Sequence, residues 1–396
     1  MKNLCYTLLL LFAIASQSVP PCHAQPLRTG AEELLRHEYT IFPPLRIAVV
    51  GNQTSMVGNT HLVDTLISAG VSVVKIFCPE HGFRGTAAAG AKVENSIDPK
   101  TGLPIISLYG KNKKPTPEQL KDVDLVIFDL QDVGCRFYTY LSTLHYVMEA
   151  SAENHIPLLV LDRPNPNGHY IDGPVLDTAH YRSFVGMHPV PIVYGMTIGE
   201  YARMINGEHW LAGGVECKLN IVPMEGYKRD SVGYLLPVPP SPNLRNAHAI
   251  ALYPSLCLFE STTVSVGRGT EWPFEVIGTP FPTRVEWDVR FWLDSVRYAG
   301  PFSFNPDGSD KRYYGLDVRD IDVPAKFDLA YLYHMYNYTR NGFFFLNNGF
   351  FNKLAGNGDL LKQIVNGTNE DEIRASWQAD LEHFKEIRKK YLIYPE

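Results

Sequence analysis

Residues 123–140 read VDLVIFDLQDVGCRFYTY. The first eight are apolar on both faces and rich in β-branched side chains, as expected of a strand in a parallel sheet covered by helices on each side. Four other runs have the same texture: LRIAVV (45–50), VSVVKIF (71–77), PIISL (104–108) and PLLVLD (157–162). Helical patterns lie between them. THLVDTLISAG (60–70) sets Leu62, Val63, Leu66 and Ile67 on one face and stops at Gly70, a favoured C-cap residue. Thr116-Pro117-Glu118-Gln119 and Thr197-Ile198-Gly199-Glu200 are capping boxes, and YTYLSTLHYVMEASAEN (138–154) supplies a longer helix. Strand and helix alternate, which predicts an α/β domain with a doubly wound parallel sheet over residues 25–235.

Beyond residue 230 the texture changes. LLPVPPSPN (235–243) suits a linker or a rigid wall, and the chain after it mixes extended pieces, the glycine turn SVGRGT (265–270) and helices at 284–298 and 325–340. In the last segment Ile373, Trp377, Leu381, Phe384 and Ile387 recur at helical spacing, a stripe read as core packing. A second, smaller α+β domain over 236–396 is expected, because a chain of this length exceeds the roughly 250–300 residues that one core supports.

Ahead of both domains, residues 1–24 have one lysine, a leucine-rich stretch and a small-residue ending at Ala24. That order predicts a Sec-type signal peptide and an exported protein, periplasmic or extracellular, with no membrane span in the mature chain. Removing it leaves 35 basic against 42 acidic residues, a net charge of −7. Such a balance argues against a nucleic-acid partner. Four cysteines remain (Cys78, Cys135, Cys217, Cys257), too few and too scattered for a disulfide scaffold and without CxxC metal spacing. Buried thiols are the simpler reading; a Cys78–Cys135 bond is the exception to test, since each follows an apolar strand.

Ligands of open parallel sheets bind outside the carboxyl ends of the strands. Three polar clusters fall there: Glu80-His81-Gly82-Phe83-Arg84-Gly85 after the second run; Asp129, Gln131, Asp132, Arg136, Tyr138 and Tyr140 after the fourth; Asp162, Arg163 and Asn165 after the fifth. Each has a bland explanation as a cap, ion pair or turn, but three at once point to a site. GNQTSMVG follows the first strand in place of GxGxxG, and no Walker loop, GxSxG elbow or HExxH occurs, so dinucleotide, phosphate, serine-hydrolase and zincin chemistries lose support. A cleft of carboxylates, arginines and aromatics suits a carbohydrate. Glycoside cleavage needs one carboxylic acid to protonate the leaving oxygen and a second group to activate water, attack carbon or stabilise the cation. Glu80, after IFCP and before Phe83, is the candidate acid, with Arg84 turned to a substrate anion or another acid.

PEHGFRG (79–85), DLQDVGCRFYTY (129–140), LDRPNPNG (161–168), YGMTIGE (194–200), PPSPN (239–243) and SVGRGTEWPF (265–274) resemble, in order, the motifs of the exo-β-N-acetylmuramidase (NamZ-like) family, long catalogued as a domain of unknown function. The resemblance implies a Rossmann-like domain joined to a smaller one with the cleft between them. It further implies an enzyme without cofactor or metal that releases N-acetylmuramic acid from non-reducing ends of peptidoglycan fragments, so that its partners are muramyl saccharides. Glu80 matches the family's proposed catalytic acid. His81 and Asp132 match further motif positions with a catalytic expectation. Arg84, Arg136, Tyr138, Asp162, Arg163 and Asn165, and from the second domain Asn243, Glu260, Arg268 and Thr270, match positions expected to bind substrate. A guanidinium fork binds a carboxylate through two parallel hydrogen bonds, so Arg84, Arg136, Arg163 and Arg268 compete for the lactyl group of muramic acid. Asp132 and Glu260 compete for the second carboxylate, with the substrate's acetamido group as an internal alternative. Two rival functions stay open: a non-catalytic receptor for cell-wall sugars, and a hydrolase using a metal held by Asp129, Asp132 and His81.

Overall fold

The computed structural model describes residues 27–37, 44–85, 94–230, 235–279, 302–304, 313–339 and 344–396. The expected leader and the expected helix at 284–298 lie outside the described residues. A seven-stranded sheet organises the first half, in the order Ser96–Ile97, Pro104–Ser107, Val73–Cys78, Ile47–Gly51, Leu125–Asp129, Leu158–Leu161, Leu219–Val222. All neighbours are parallel except Ser96–Ile97, which runs antiparallel at one edge. The first strand is flanked on one side by the second run and on the other by the fourth, so the order reverses between Ile47–Gly51 and Leu125–Asp129. That is a topological switch point, where such sheets open a crevice. Register places Gly51 beside Asp129 and Cys78 beside Ser107, so the strands end along a common rim.

Alternation along each strand sorts the core into two layers. Ile47, Val49, Ile76, Ile127 and Leu161 pack with Leu62 and Leu66, whereas Ala48, Val50, Phe77, Val126, Phe128 and Val160 pack with Leu141, Leu144 and Ile198. The helices that cover the sheet begin as expected: both capping boxes form, at Thr116 and at Thr197. Strand Leu219–Val222 was not expected, because Leu219 and Ile221 are only partly buried and Asn220 between them is exposed. Cys78 belongs to one layer and Cys135 to the other, and all four described cysteines are free buried thiols. The sheet itself separates the pair.

The described residues of the second half form the helix Ala247–Leu256, a three-stranded antiparallel sheet ordered Val276–Thr279, Tyr313–Asp317, Phe302–Phe304, and five further helices from Ala330–Tyr338 to Gln378–Lys389. The terminal stripe buries Ile373, Trp377, Leu381 and Phe384 as expected, but on two helices, Glu370–Ser376 and Gln378–Lys389. Ser376 donates its hydroxyl to the Ile373 carbonyl at 2.6 Å, a local bond that competes with the helical ladder at the break. The last residues return to the sheet, where the Tyr394 hydroxyl donates to Asp162 at 2.7 Å. Among the described residues no helix is long and apolar enough to cross a membrane.

Candidate active site

Strand Val73–Cys78 delivers the chain to Pro79 and then into a tight reversal, closed by Gly82 N–H donating to Pro79 O at 3.2 Å. His81 and Gly82 both have positive φ, 73° and 75°. Glycine tolerates that region; histidine is held there at a cost of about 1–2 kcal/mol, and non-glycine residues so held cluster at functional sites. The reversal buries His81 and leaves Glu80 half-buried, facing a cavity of about 340 Å³. Two hydroxyls attend its carboxylate. Thr139 Oγ1 donates to Glu80 Oε2 at 3.3 Å, and the Tyr109 phenol, just past the end of the strand Pro104–Ser107, lines the same cavity within reach of that carboxylate's charge. Burial, and then the Glu80 charge, push Tyr109 up to about 12, so the phenol stays protonated.

The opposite wall comes from the second half of the chain. The carbonyl of Pro240 accepts from Tyr138 Oη at 2.8 Å, Tyr140 Oη at 3.3 Å and Gln53 Nε2 at 3.3 Å, which fastens the PPSPN segment onto the sheet rim and brings Asn243 to the cavity. Glu260, on the turn Cys257–Ser261, and Arg268 complete that wall as an ion pair, with the guanidinium 5.1 Å from the Phe274 ring centre. Burial lowers the Arg268 pKa, but the Glu260 charge and hydrogen bond outweigh it and the net shift is upward.

Six of the residues expected at the site therefore line one cavity: Glu80, His81, Tyr138, Asn243, Glu260 and Arg268. The other seven are not among its lining residues, and their partners say why. Arg84 is engaged by Asp98 at 2.8 Å and Asp64 at 3.5 Å. Arg136 is fully buried and donates to four carbonyls, of Pro174, Val190, Leu354 and Ala355, at 2.7–3.0 Å. Arg163 forks onto Asp129 at 2.5 and 2.9 Å. Asp162 accepts from Thr197, Gly199 N–H and Tyr394, and burial still raises it to about 6. Asn165 is consumed by Met196 O and Asn167 N–H. Asp132 accepts from Tyr194 and Gly134 N–H; burial raises it to about 6. Thr270 closes its own turn by donating to Gly267 O at 2.6 Å. These seven hold the loops that present the site. The metal set of Asp129, Asp132 and His81 is corrected with them, because Arg163 already occupies both oxygens of Asp129, and among the described residues no His/Cys/Asp/Glu group has metal-binding geometry.

Tyr109 and Thr139 were missed. The signal for Tyr109 was available, since it follows PIISL at a strand's carboxyl end; Thr139 sits inside DLQDVGCRFYTY but looks like ordinary helix-start chemistry.

Two family descriptions match the chain: "Exo-beta-N-acetylmuramidase NamZ, N-terminal" over residues 47–248 and its C-terminal counterpart over residues 251–394. The peptidoglycan β-N-acetylmuramidase NamZ of Bacillus subtilis (strain 168) is 41% identical over 379 residues, covering 90% of each chain. Two crystal structures of DUF1343 family proteins from Bacteroides fragilis NCTC 9343 superpose with a TM-score of 0.80 each, at 42% and 30% identity, covering 93% of this chain and 99% of theirs.

Proposed function

The chain belongs to the exo-β-N-acetylmuramidase NamZ family, and from that premise we propose how its cavity releases N-acetylmuramic acid from the non-reducing ends of peptidoglycan fragments. It is a glycoside hydrolase; the roles of single residues are the proposal. Glu80 gives its proton to the glycosidic oxygen, the C1–O bond breaks with its electron pair on the departing alcohol, and water adds to C1 while its proton returns to a carboxylate. Glu260 is the second carboxylate of the site.

The observation that carries this reading is the company Glu80 keeps. Among the described residues lining its cavity Arg268 is the one lysine or arginine; Glu260 engages its Nη2, and a sugar bearing a lactyl carboxylate finds there both an acid for its glycosidic oxygen and a guanidinium for its anion. Arg84, Arg136 and Arg163 are not among those lining residues and are held by protein partners elsewhere. The leader at residues 1–24 supports export to the periplasm, beside the polymer, and the acidic balance supports a saccharide over a nucleic acid as partner.

Glu80→Gln keeps the shape and removes the proton. The expected result is a loss of about 10²–10⁴-fold in release of muramic acid from a chromogenic β-muramide, with an unchanged melting temperature. Near-normal turnover rejects Glu80 as the acid; muropeptide affinity without any released sugar from the parent protein favours a receptor instead.

A further inference from the structure

Tyr109 lies against both carboxylates of the cavity. Its phenol lines the same cavity as Glu80 and Glu260 and feels the negative charge of both, that of Glu80 the more strongly. Glu260 already has Arg268 as partner, which leaves Glu80 as the carboxylate for the phenol proton to serve. Packing does not require that hydroxyl. The ring lies 6.3 Å from the Phe184 ring at a tilt, a contact phenylalanine would make equally well. Nor is the phenol suited to be the acid itself, because burial and the neighbouring charge hold its proton too tightly for efficient transfer near neutral pH.

A glutamate side chain loses up to about 1.5–2 kcal/mol of rotamer freedom when fixed. Misplacing a reacting group by about 1 Å can cost on the order of 10²-fold in rate. Glu80 reaches the cavity from a reversal whose backbone is tightly defined, but the side chain beyond it has three rotatable bonds. The hydroxyls that face its carboxylate come from two other strand ends: Thr139, which donates to it, in the segment after Leu125–Asp129, and Tyr109, which shares its cavity, after Pro104–Ser107. Donors from two directions fix a carboxylate plane in a way one donor does not.

We propose that Tyr109, seconded by Thr139, is a positioning residue that aims the Glu80 carboxyl at the glycosidic oxygen. This rests on the reading of Glu80 as acid. Proton delivery matters most when the leaving group is a poor one, such as the sugar alcohol of the natural linkage, and least when it is an activated phenolate.

The test compares two substrates, a muramyl disaccharide and a dinitrophenyl β-muramide, in the parent, Glu80→Gln, Tyr109→Phe and Thr139→Val proteins. Tyr109→Phe is expected to lower kcat on the disaccharide by about 10- to 100-fold, with a much smaller loss on the aryl substrate and little change in KM. Thr139→Val shows the same pattern at lower amplitude, and answers the question if Tyr109→Phe reduces the folded fraction. Equal losses on both substrates, or none on either, overturn the proposal. If Glu80→Gln itself shows no dependence on the leaving group, the acid assignment has failed, which is a separate result from a leaving-group effect present in Glu80→Gln and absent in Tyr109→Phe.

Discussion

The hydroxyl of Tyr138 donates to the carbonyl oxygen of Pro240 at 2.8 Å, joining two residues 102 positions apart. One end of that bond belongs to the rim of the parallel sheet and the other to the proline-rich segment that carries Asn243 into the cavity. Tyr138 thus acts by holding the wall. Tyr138→Phe is expected to cost about 1 kcal/mol of stability, since Tyr140 and Gln53 still reach the same carbonyl, and to raise KM several-fold with kcat little changed. Unaltered KM in steady-state assays would remove Tyr138 from the wall.

Arg268 is expected to set selectivity for the anionic sugar. Arg268→Gln should lower kcat/KM for a β-muramide by about 10- to 100-fold, as loss of a charged hydrogen bond implies, and leave the low activity on the matching β-N-acetylglucosaminide nearly unchanged. Parallel losses on the two substrates would place the lactyl group elsewhere.

The buried thiols should be inert. Burial pushes Cys78 and Cys217 up to about 12 and holds Cys135 and Cys257 well above the usual thiol range, and the thiolate is the reactive form. An aromatic disulfide reagent should find none of the four in the native protein and all four after guanidinium. Two thiols missing after denaturation would mean that a disulfide forms between two of them.

Acid should unfold the protein partly through His145 and His188, whose rings meet at 2.9 Å beside Tyr201 and Trp210, with Glu149, Lys114 and Arg182 as the charged neighbours. Burial lowers His145 to about 4 and holds His188 well below the ordinary imidazole range. The unfolded chain takes up these protons near pH 6.5; the folded chain resists. Stability from this pair is complete above pH 6.5 and falls as pH drops toward 4. Asp132 and Asp162, raised to about 6, have the opposite sign and lose stability as pH rises from 3.8 to 6. His145→Asn, which keeps a partner for His188, should flatten the decline in urea-unfolding free energy between pH 6.5 and 4.5. Curves parallel to the parent's would exclude the pair.

Arg136 and Gly356 should be intolerant of change without touching chemistry. A Cβ on Gly356, at φ 85°, would stand 2.4 Å from Arg136 Nη2. Gly356→Ala is expected to destabilise by about 2–4 kcal/mol through strain and displacement of the guanidinium, measured as a lower denaturation midpoint with kcat retained in the folded fraction. A shift below about 0.5 kcal/mol would show that the four-carbonyl cage is dispensable.

The strands and the helices between them were legible because their signals are local. The apolar runs at 45–50, 71–77, 104–108, 123–130 and 157–162, the two capping boxes and Gly70 each act within a few residues, by burial, by hydrogen-bonding a neighbouring N–H or by permitting positive φ. The edge strand Leu219–Val222 escaped because half-exposed residues carry a weaker pattern. Glu80 stood out because a tight reversal has no need of an acid.

Which polar residues line the cavity was decided by the tertiary structure alone. Arg136 and Arg268 look alike in the sequence, each in a glycine-flanked motif. One finds carbonyls 38, 54, 218 and 219 residues away and becomes a strut, the other finds Glu260 and an open cavity. A buried charge takes whatever partners the folded chain brings within hydrogen-bonding distance, and those partners are set by how the second half of the chain packs on the sheet rim, information that no local pattern contains.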